Sequence, residues 1–211
     1  MVAEVVIISP LRGAEAAVLA GGASRRMGED KAWLDLGGTP AIARILETLE
    51  PLFDRTRIIA NDPSRFARLS VPVQSDLRPG SGALGGLHAA LKTAKEPALF
   101  VTACDMPFVT QELVRGLYAL LLGFDAVVPW SAKGPDPLCA FYRAGCLPAI
   151  EAALDRKDFR VGKFLSGVRV HRVEGEALSR LDPTGEALFN LNTPEDYARA
   201  QLKAGSATRA V

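Results

Sequence analysis

Histidine is scarce in this 211-residue chain: His88 and His171 are the only two, too few to support a histidine zinc centre or a serine hydrolase triad as the leading reading. Cysteine is equally sparse. Cys104, Cys139 and Cys146 are odd in number and form no C-x-x-C pair, so neither a disulfide framework nor a thiolate zinc cage is expected, and a reducing cytoplasmic setting fits. Neither sign of charge dominates. With 25 Lys and Arg against 24 Asp and Glu the net charge is +1, which argues against a nucleic-acid or membrane-binding surface and confines any anion site to a local cluster. Long apolar runs are missing too: the one at residues 5–8 is stopped by Pro10 and Arg12, too short for a signal core or a membrane span. It reads either as an edge strand or as part of a loose leader over residues 1–13.

What the chain does have is enough apolar residues, 48%, for one full core. Buried β-type runs alternate with helical periodicity. "AAVLA" (16–20) reads as a strand, Ile42, Ile45, Leu46 and Leu49 recur at helical spacing, and "RIIA" (57–60) returns as a strand. "VPVQ" precedes a glycine-rich segment that turns helical, "ALFVTA" (98–103) is another buried strand, and "TQELVRGLYALL" is a helix capped by Thr110. Such alternation predicts an α/β fold: three α/β/α layers, Rossmann-like, around a mostly parallel sheet. Beyond Gly123, "DAVVPW", "LCAFY" and "VRVHRV" read as strands and "LPAIEAAL" as a helix, a half expected to cap the sheet. Thr193, Pro194, Glu195 and Asp196 mark a last helix start, and "KAGSATRAV" reads as a frayed tail.

The stretch "LAGGASRRMGEDK" (19–31) directly follows the first strand. It satisfies neither the Walker A spacing nor the dinucleotide G-x-G-x-x-G pattern. Paired glycines nevertheless let backbone N–H groups approach a polyphosphate, and Arg25, Arg26 and Lys31 add three positive charges, a combination suited to a nucleoside triphosphate. Asp105, in "FVTACDMPF", follows a buried strand, where open α/β sheets place ligands and a carboxylate can hold Mg²⁺ against phosphates. A helix-capping role suits that aspartate as well.

Together with "LDLGGTP", the first stretch resembles the L-A-G-G-x-S-x-R-M-G-x-D-K signature of molybdenum cofactor guanylyltransferases, the MobA family, within the nucleotide-diphospho-sugar transferase superfamily. "QSDLRPGSGALGGLHAAL" resembles the family's Asp followed by G-P-L-A-G, with Ala83 where proline is usual and Gly85 where alanine is usual. "CDMP" resembles its metal-binding C-D-x-P, "FNLNTPED" its N-x-N-T-P-E-[DE], and "DFRVGKF" a basic segment for the pterin substrate.

The resemblance implies a single nucleotidyltransferase domain over 1–211, with a GTP-binding half at 14–122, a molybdopterin-binding half at 123–201 and a tail from 202. It implies transfer of GMP from GTP to the terminal phosphate of molybdopterin, with Arg26, Lys31 and Asp105 catalytic and Asp105 holding Mg²⁺. Leu19, Ala20, Gly21, Gly22, Lys31, Asn61, Asp76 and Asp105 would bind GTP, and Arg160, Asn190 and Asn192 molybdopterin. Partners implied are cofactor-biosynthesis proteins and recipient molybdoenzymes, with no nucleic acid and no membrane. A cytidylyl- or sugar-phosphate nucleotidyltransferase would share the first and third motifs, and a non-catalytic carrier of GTP and molybdopterin is the remaining alternative.

Overall fold

The computed structural model describes residues 9–21 and 30–208. Residues 5–8, read either as an edge strand or as part of a loose leader, lie outside them. In chain order the elements are β1 (Ala14–Leu19), α1 (Ala41–Leu49), β2 (Thr56–Ile59), β3 (Val73–Gln74), α2 (Gly82–Lys92), β4 (Ala98–Ala103) and α3 (Gln111–Ala119). They continue with β5 (Ala126–Ser131), β6 (Gly134–Pro135), β7 (Cys139–Tyr142), α4 (Leu147–Asp155), β8 (Val170–Val173), α5 (Gly175–Leu181) and α6 (Pro194–Thr208).

One sheet runs β3-β2-β1-β4-β7-β5-β6, with β8 pairing β5. β3, β2, β1 and β4 are mutually parallel. β7 inserts antiparallel between β4 and β5, and β8 is again parallel to β5. The second half therefore extends the sheet, correcting the expectation that it caps it. The reason is the α3 crossover, which carries the chain past the β4 edge and leaves a gap that β7 fills.

Side chains alternate across the sheet as strand geometry requires. Ala16 and Val18 point into the core layer containing Ile42, Ile45 and Leu113, while Ala17 and Leu19 point into the one containing Leu84, Leu87 and Ile150. The apolar spacing read at Ile42, Ile45, Leu46 and Leu49 is the buried face of α1. Burial on both faces is what makes β1 from Ala16 to Leu19 and β4 from Ala98 to Val101 read as apolar runs, with Glu15 and Thr102 as buried polar exceptions. Among the described residues no helix is long and apolar enough to cross a membrane.

Two departures concern the C-terminal region. α5 was not legible as a helix; its Leu181 packs so closely on α3 that a Cβ at Gly116 would clash with its side chain. The segment read as a frayed tail continues α6 to Thr208, because Ala200 and Ala204 are buried against Leu34, Leu36 and Leu191 in a satellite core. The start of α6 is as expected: Thr193 Oγ1 accepts from Asp196 N–H at 3.2 Å, and the Asp196 carboxylate accepts from Thr193 N–H at 3.0 Å.

Candidate functional site

The carboxyl ends of β1 and β4 are adjacent, with Leu19 opposite Ala103 and the Cys104 N–H donating to the Leu19 carbonyl at 3.0 Å. Asp105 emerges there. Its own carbonyl accepts from Leu191 N–H at 2.8 Å, which brings the Asn190–Asn192 segment alongside. From the other side comes Lys31, the first residue of a 3-10 turn whose N-cap, Asp30, accepts from Ala32 N–H at 3.2 Å. Lys31 Nζ donates to Asn192 Oδ1 at 2.8 Å and to Asp105 Oδ2 at 3.4 Å. Three motifs far apart in sequence thus converge on one ammonium.

Burial raises the Asp105 pKa, and Lys31 opposes that shift. Beside it the Cys104 thiol is pushed up to about 12 by burial, then by Asp105 and Asp30, so it stays protonated and acts as packing.

A cavity of about 390 Å³ opens over these groups, lined among others by Leu19, Gly21, Lys31, Asp76, Asp105 and Asn190. Asp76, in its lining, is held by Asn61 as a reciprocal pair: Asn61 Nδ2 donates to Asp76 Oδ2 at 3.2 Å, and Asp76 N–H donates to Asn61 Oδ1 at 3.0 Å. Burial raises the Asp76 pKa, with the Asn61 bond opposing. At Gly86 a Cβ would sit 3.5 Å from Leu19 and 3.6 Å from Asp76, ordinary contact that the packing of α2 would accept. At Gly85 there is less room: a Cβ would meet Ser81 Cβ at 2.9 Å and the Arg78 carbonyl at 3.1 Å, which accounts physically for glycine at that position.

Of the residues singled out in the sequence, Leu19, Ala20, Gly21, Lys31, Asn61, Asp76, Asp105, Asn190 and Asn192 gather around this cavity or its rim. Gly22, Arg25 and Arg26 lie outside the described residues. Arg160 is not drawn in: it is exposed and directs Nε and Nη2 to the Asp158 carboxylate, each at 2.7 Å. Its neighbours Val161 and Gly162 instead line a cleft of about 250 Å³ next to the cavity.

One residue that no motif marked joins the construction. Arg65 donates Nε to Asp30 Oδ2 at 2.9 Å and Nη1 to the Ala20 carbonyl at 3.4 Å, so one guanidinium touches both ends of the glycine-rich stretch. "DPSRF" offers no signal for this, because the contact depends on the chain after β2 folding back across Asp30.

Residues 16–173 match the family described as "MobA-like NTP transferase domain". The chain is 40% identical over 187 residues to a "Probable molybdenum cofactor guanylyltransferase" of Pelotomaculum thermopropionicum, covering 89% of this chain and 91% of that one. It is 33% identical to a "Molybdenum cofactor guanylyltransferase" of Desulfosudis oleivorans, covering 89% and 95%. Among solved structures it is similar to molybdopterin-guanine dinucleotide biosynthesis protein A from Archaeoglobus fulgidus, with a TM-score of 0.80, 31% identity, and 91% and 99% of the two chains covered.

Proposed function

The chain belongs to the MobA-like NTP transferase family, and on that premise we propose that it transfers GMP from GTP to the terminal phosphate of molybdopterin and releases pyrophosphate. The observation that carries this reading is the Lys31–Asp105–Asn192 cluster on one cavity wall. An acceptor phosphate is already ionised, so its attack on the α-phosphorus needs no general base. The barrier is repulsion between anions and the charge gathering on the leaving pyrophosphate, which preorganised charge and positioning lower.

In this reading Lys31 lies on the phosphates, oriented by Asn192, and Arg26 supplies a second cation. Asn61 and Asp76 hold the guanosine, and Leu19, Ala20, Gly21 and Gly22 offer backbone to the nucleotide. Asn190 and Asn192 face the acceptor. Arg160 would have to leave Asp158 to join them. The division into a GTP half (14–122) and a molybdopterin half (123–201) is supported by a cleft of about 550 Å³ whose walls, from Ser131 to Arg199, lie entirely in the second half.

The donor set suits Mg²⁺. Asp105 offers one carboxylate, and Asn190, whose Nδ2 is engaged by the Leu188 carbonyl at 3.0 Å, has its amide oxygen to give. Magnesium is commonly held by one or two carboxylates, with phosphates and water completing its shell. Among the described residues no group of three or more His, Cys, Asp or Glu could hold a metal. When bound, the cation neutralises charge on the phosphate oxygens.

The test is pyrophosphate release with GTP, CTP and ATP, each with and without molybdopterin. Release should require both GTP and molybdopterin; a preference for CTP of tenfold or more refutes the guanylyl assignment. Asp105→Asn keeps shape but removes the charge, so transfer should fall by about 10²- to 10³-fold with the melting temperature retained. Near-normal turnover with unchanged Mg²⁺ dependence would place the metal elsewhere.

A further inference from the structure

Two clefts adjoin the nucleotide cavity. The wider one, about 550 Å³, is walled by Lys133, Asp136, Asp182, Asp196 and Arg199 among others. The narrower one, about 250 Å³, is mostly apolar, with Met106, Leu138, Val161 and Gly162 around Asp136. Asn190 lines both clefts and the cavity, and Asp136 lines both clefts.

Three carboxylates face the wider cleft, and two are occupied. Asp182 accepts from the Glu186 and Ala187 N–H groups, each at 3.1 Å. Asp196 accepts from Asn192 N–H at 3.1 Å and Thr193 N–H at 3.0 Å. Asp136 differs: its Oδ2 is buried and has no hydrogen-bond partner. Burial raises its pKa, while Ser131 and Lys133 oppose the shift. Nor is this side chain needed to shape its own turn. The Asp136 N–H donates to the Pro129 carbonyl at 2.9 Å and its carbonyl accepts from Cys139 N–H at 3.1 Å, while Ser131 Oγ bridges the β5–β6 turn, accepting from Lys133 N–H and donating to the Gly134 carbonyl, each at 3.3 Å. A buried acceptor left unpaired costs stability unless a donor reaches it, and Asp136 stands in the wall of both clefts.

We infer that Asp136 reads the acceptor's ring: its carboxylate accepts the N3–H and 2-amino hydrogens of the 2-amino-4-oxo pterin, while the ring occupies the apolar cleft at Leu138 and Val161. The inference rests on the guanylyl-transfer reading above. Guanine carries the same pair of donors, and of the two desolvated carboxylates on the nucleotide cavity, Asp105 faces Lys31 while Asp76 is bonded to Asn61. Two substrates with like edges thus meet two carboxylates, one on the cavity and one on the adjoining cleft. Asn190, common to all three hollows, lies where the acceptor's phosphate arm would pass toward Lys31 and Asp105.

The test is equilibrium binding of 6-hydroxymethylpterin and 6-hydroxymethyllumazine, followed by ligand fluorescence, to the full chain and to its Asp136→Asn and Asp136→Leu variants. Lumazine has a carbonyl in place of the 2-amino group. The parent should prefer the pterin at least tenfold, and both variants should lose that preference through weaker pterin binding, with GTP affinity unchanged and melting temperature not lowered. Should Asp136→Leu fail to fold, the isosteric Asp136→Asn decides. The inference is overturned if the parent binds no pterin, if Asp136→Asn keeps the preference, or if GTP displaces the pterin competitively. Pyrophosphate release by the parent with GTP and molybdopterin reports separately on the transfer reading. Transfer with the preference intact in Asp136→Asn rejects only the ring contact; loss of the preference without any transfer by the parent rejects only the reaction.

Discussion

Replacing Arg57 by methionine should destabilise the protein substantially while leaving its chemistry alone. Glu15 is fully buried on β1, its Oε1 accepting from Arg57 Nη1 at 2.8 Å and from Lys95 N–H at 3.2 Å. Arg57 Nη2 reaches the Ala90 carbonyl at 2.6 Å, so one guanidinium ties β2 to both β1 and α2. Methionine keeps the apolar stem and strands the carboxylate. Removing one partner of a buried ion pair costs about 3–5 kcal/mol; because Arg57 keeps 13% of its side-chain surface exposed, the lower end, about 3 kcal/mol, applies here. At roughly 2–4 °C per kcal/mol for a domain of this size, the melting temperature should drop by about 6–12 °C. Glu15 pairs with Leu99 near the start of the strands, whereas the site lies past Leu19 and Ala103 at their ends. Transfer measured well below the melting transition should therefore be unchanged. The Glu15→Leu/Arg57→Met double variant removes both charges and should recover more than half of the loss. Calorimetry would refute the reasoning if the single variant melted within about 2 °C of the parent, less than about 1 kcal/mol, or if the double variant were no better than the single.

Gly85→Ala should destabilise by about 1 kcal/mol, since overpacking against Ser81 and the Arg78 carbonyl outweighs the gain in helix propensity; Ser81→Gly in the same chain should restore most of it, as denaturant melts would show. Asp136→Asn should gain stability at neutral pH, because the folded-state pKa of Asp136 is raised and ionisation therefore favours unfolding. That gain should shrink as pH falls through the raised value toward the ordinary 3.8, where both states are protonated; a gain independent of pH contradicts the cause given. Deleting residues 203–211 removes Ala204 from the satellite core and the Lys203 contacts with Glu186, Phe108 and Phe189, at a cost of about 2 kcal/mol. A truncated chain that melts like the parent would restore the reading of that segment as a tail.

Lys31, Asp105 and Asn192 were legible because each sits in its own motif, and the fold brings together what the motifs kept apart. Strand existence was legible for a similar reason: runs buried on both faces stand out. Strand order was not. Nothing in "LCAFY" distinguishes an antiparallel insertion from one more parallel strand, since both bury the same faces. α6 outran its expectation because Gly205 and Ser206 are poor helix formers, yet packing of Ala200 and Ala204 overrides local propensity. Asp136 escaped notice in a short hairpin with no motif around it, where only the missing partner of one oxygen marks it.

Arg65 acts on this site from a distance. Because one side chain grips Ala20 and Asp30, the positions flanking residues 21–29 are held from outside that segment, and Lys31 inherits its place from Asp30 through the cap on its 3-10 turn. Arg65 is absent from the cavity lining, yet it sets where the Lys31 ammonium stands, so a change at position 65 would move a motif residue without altering the motif itself.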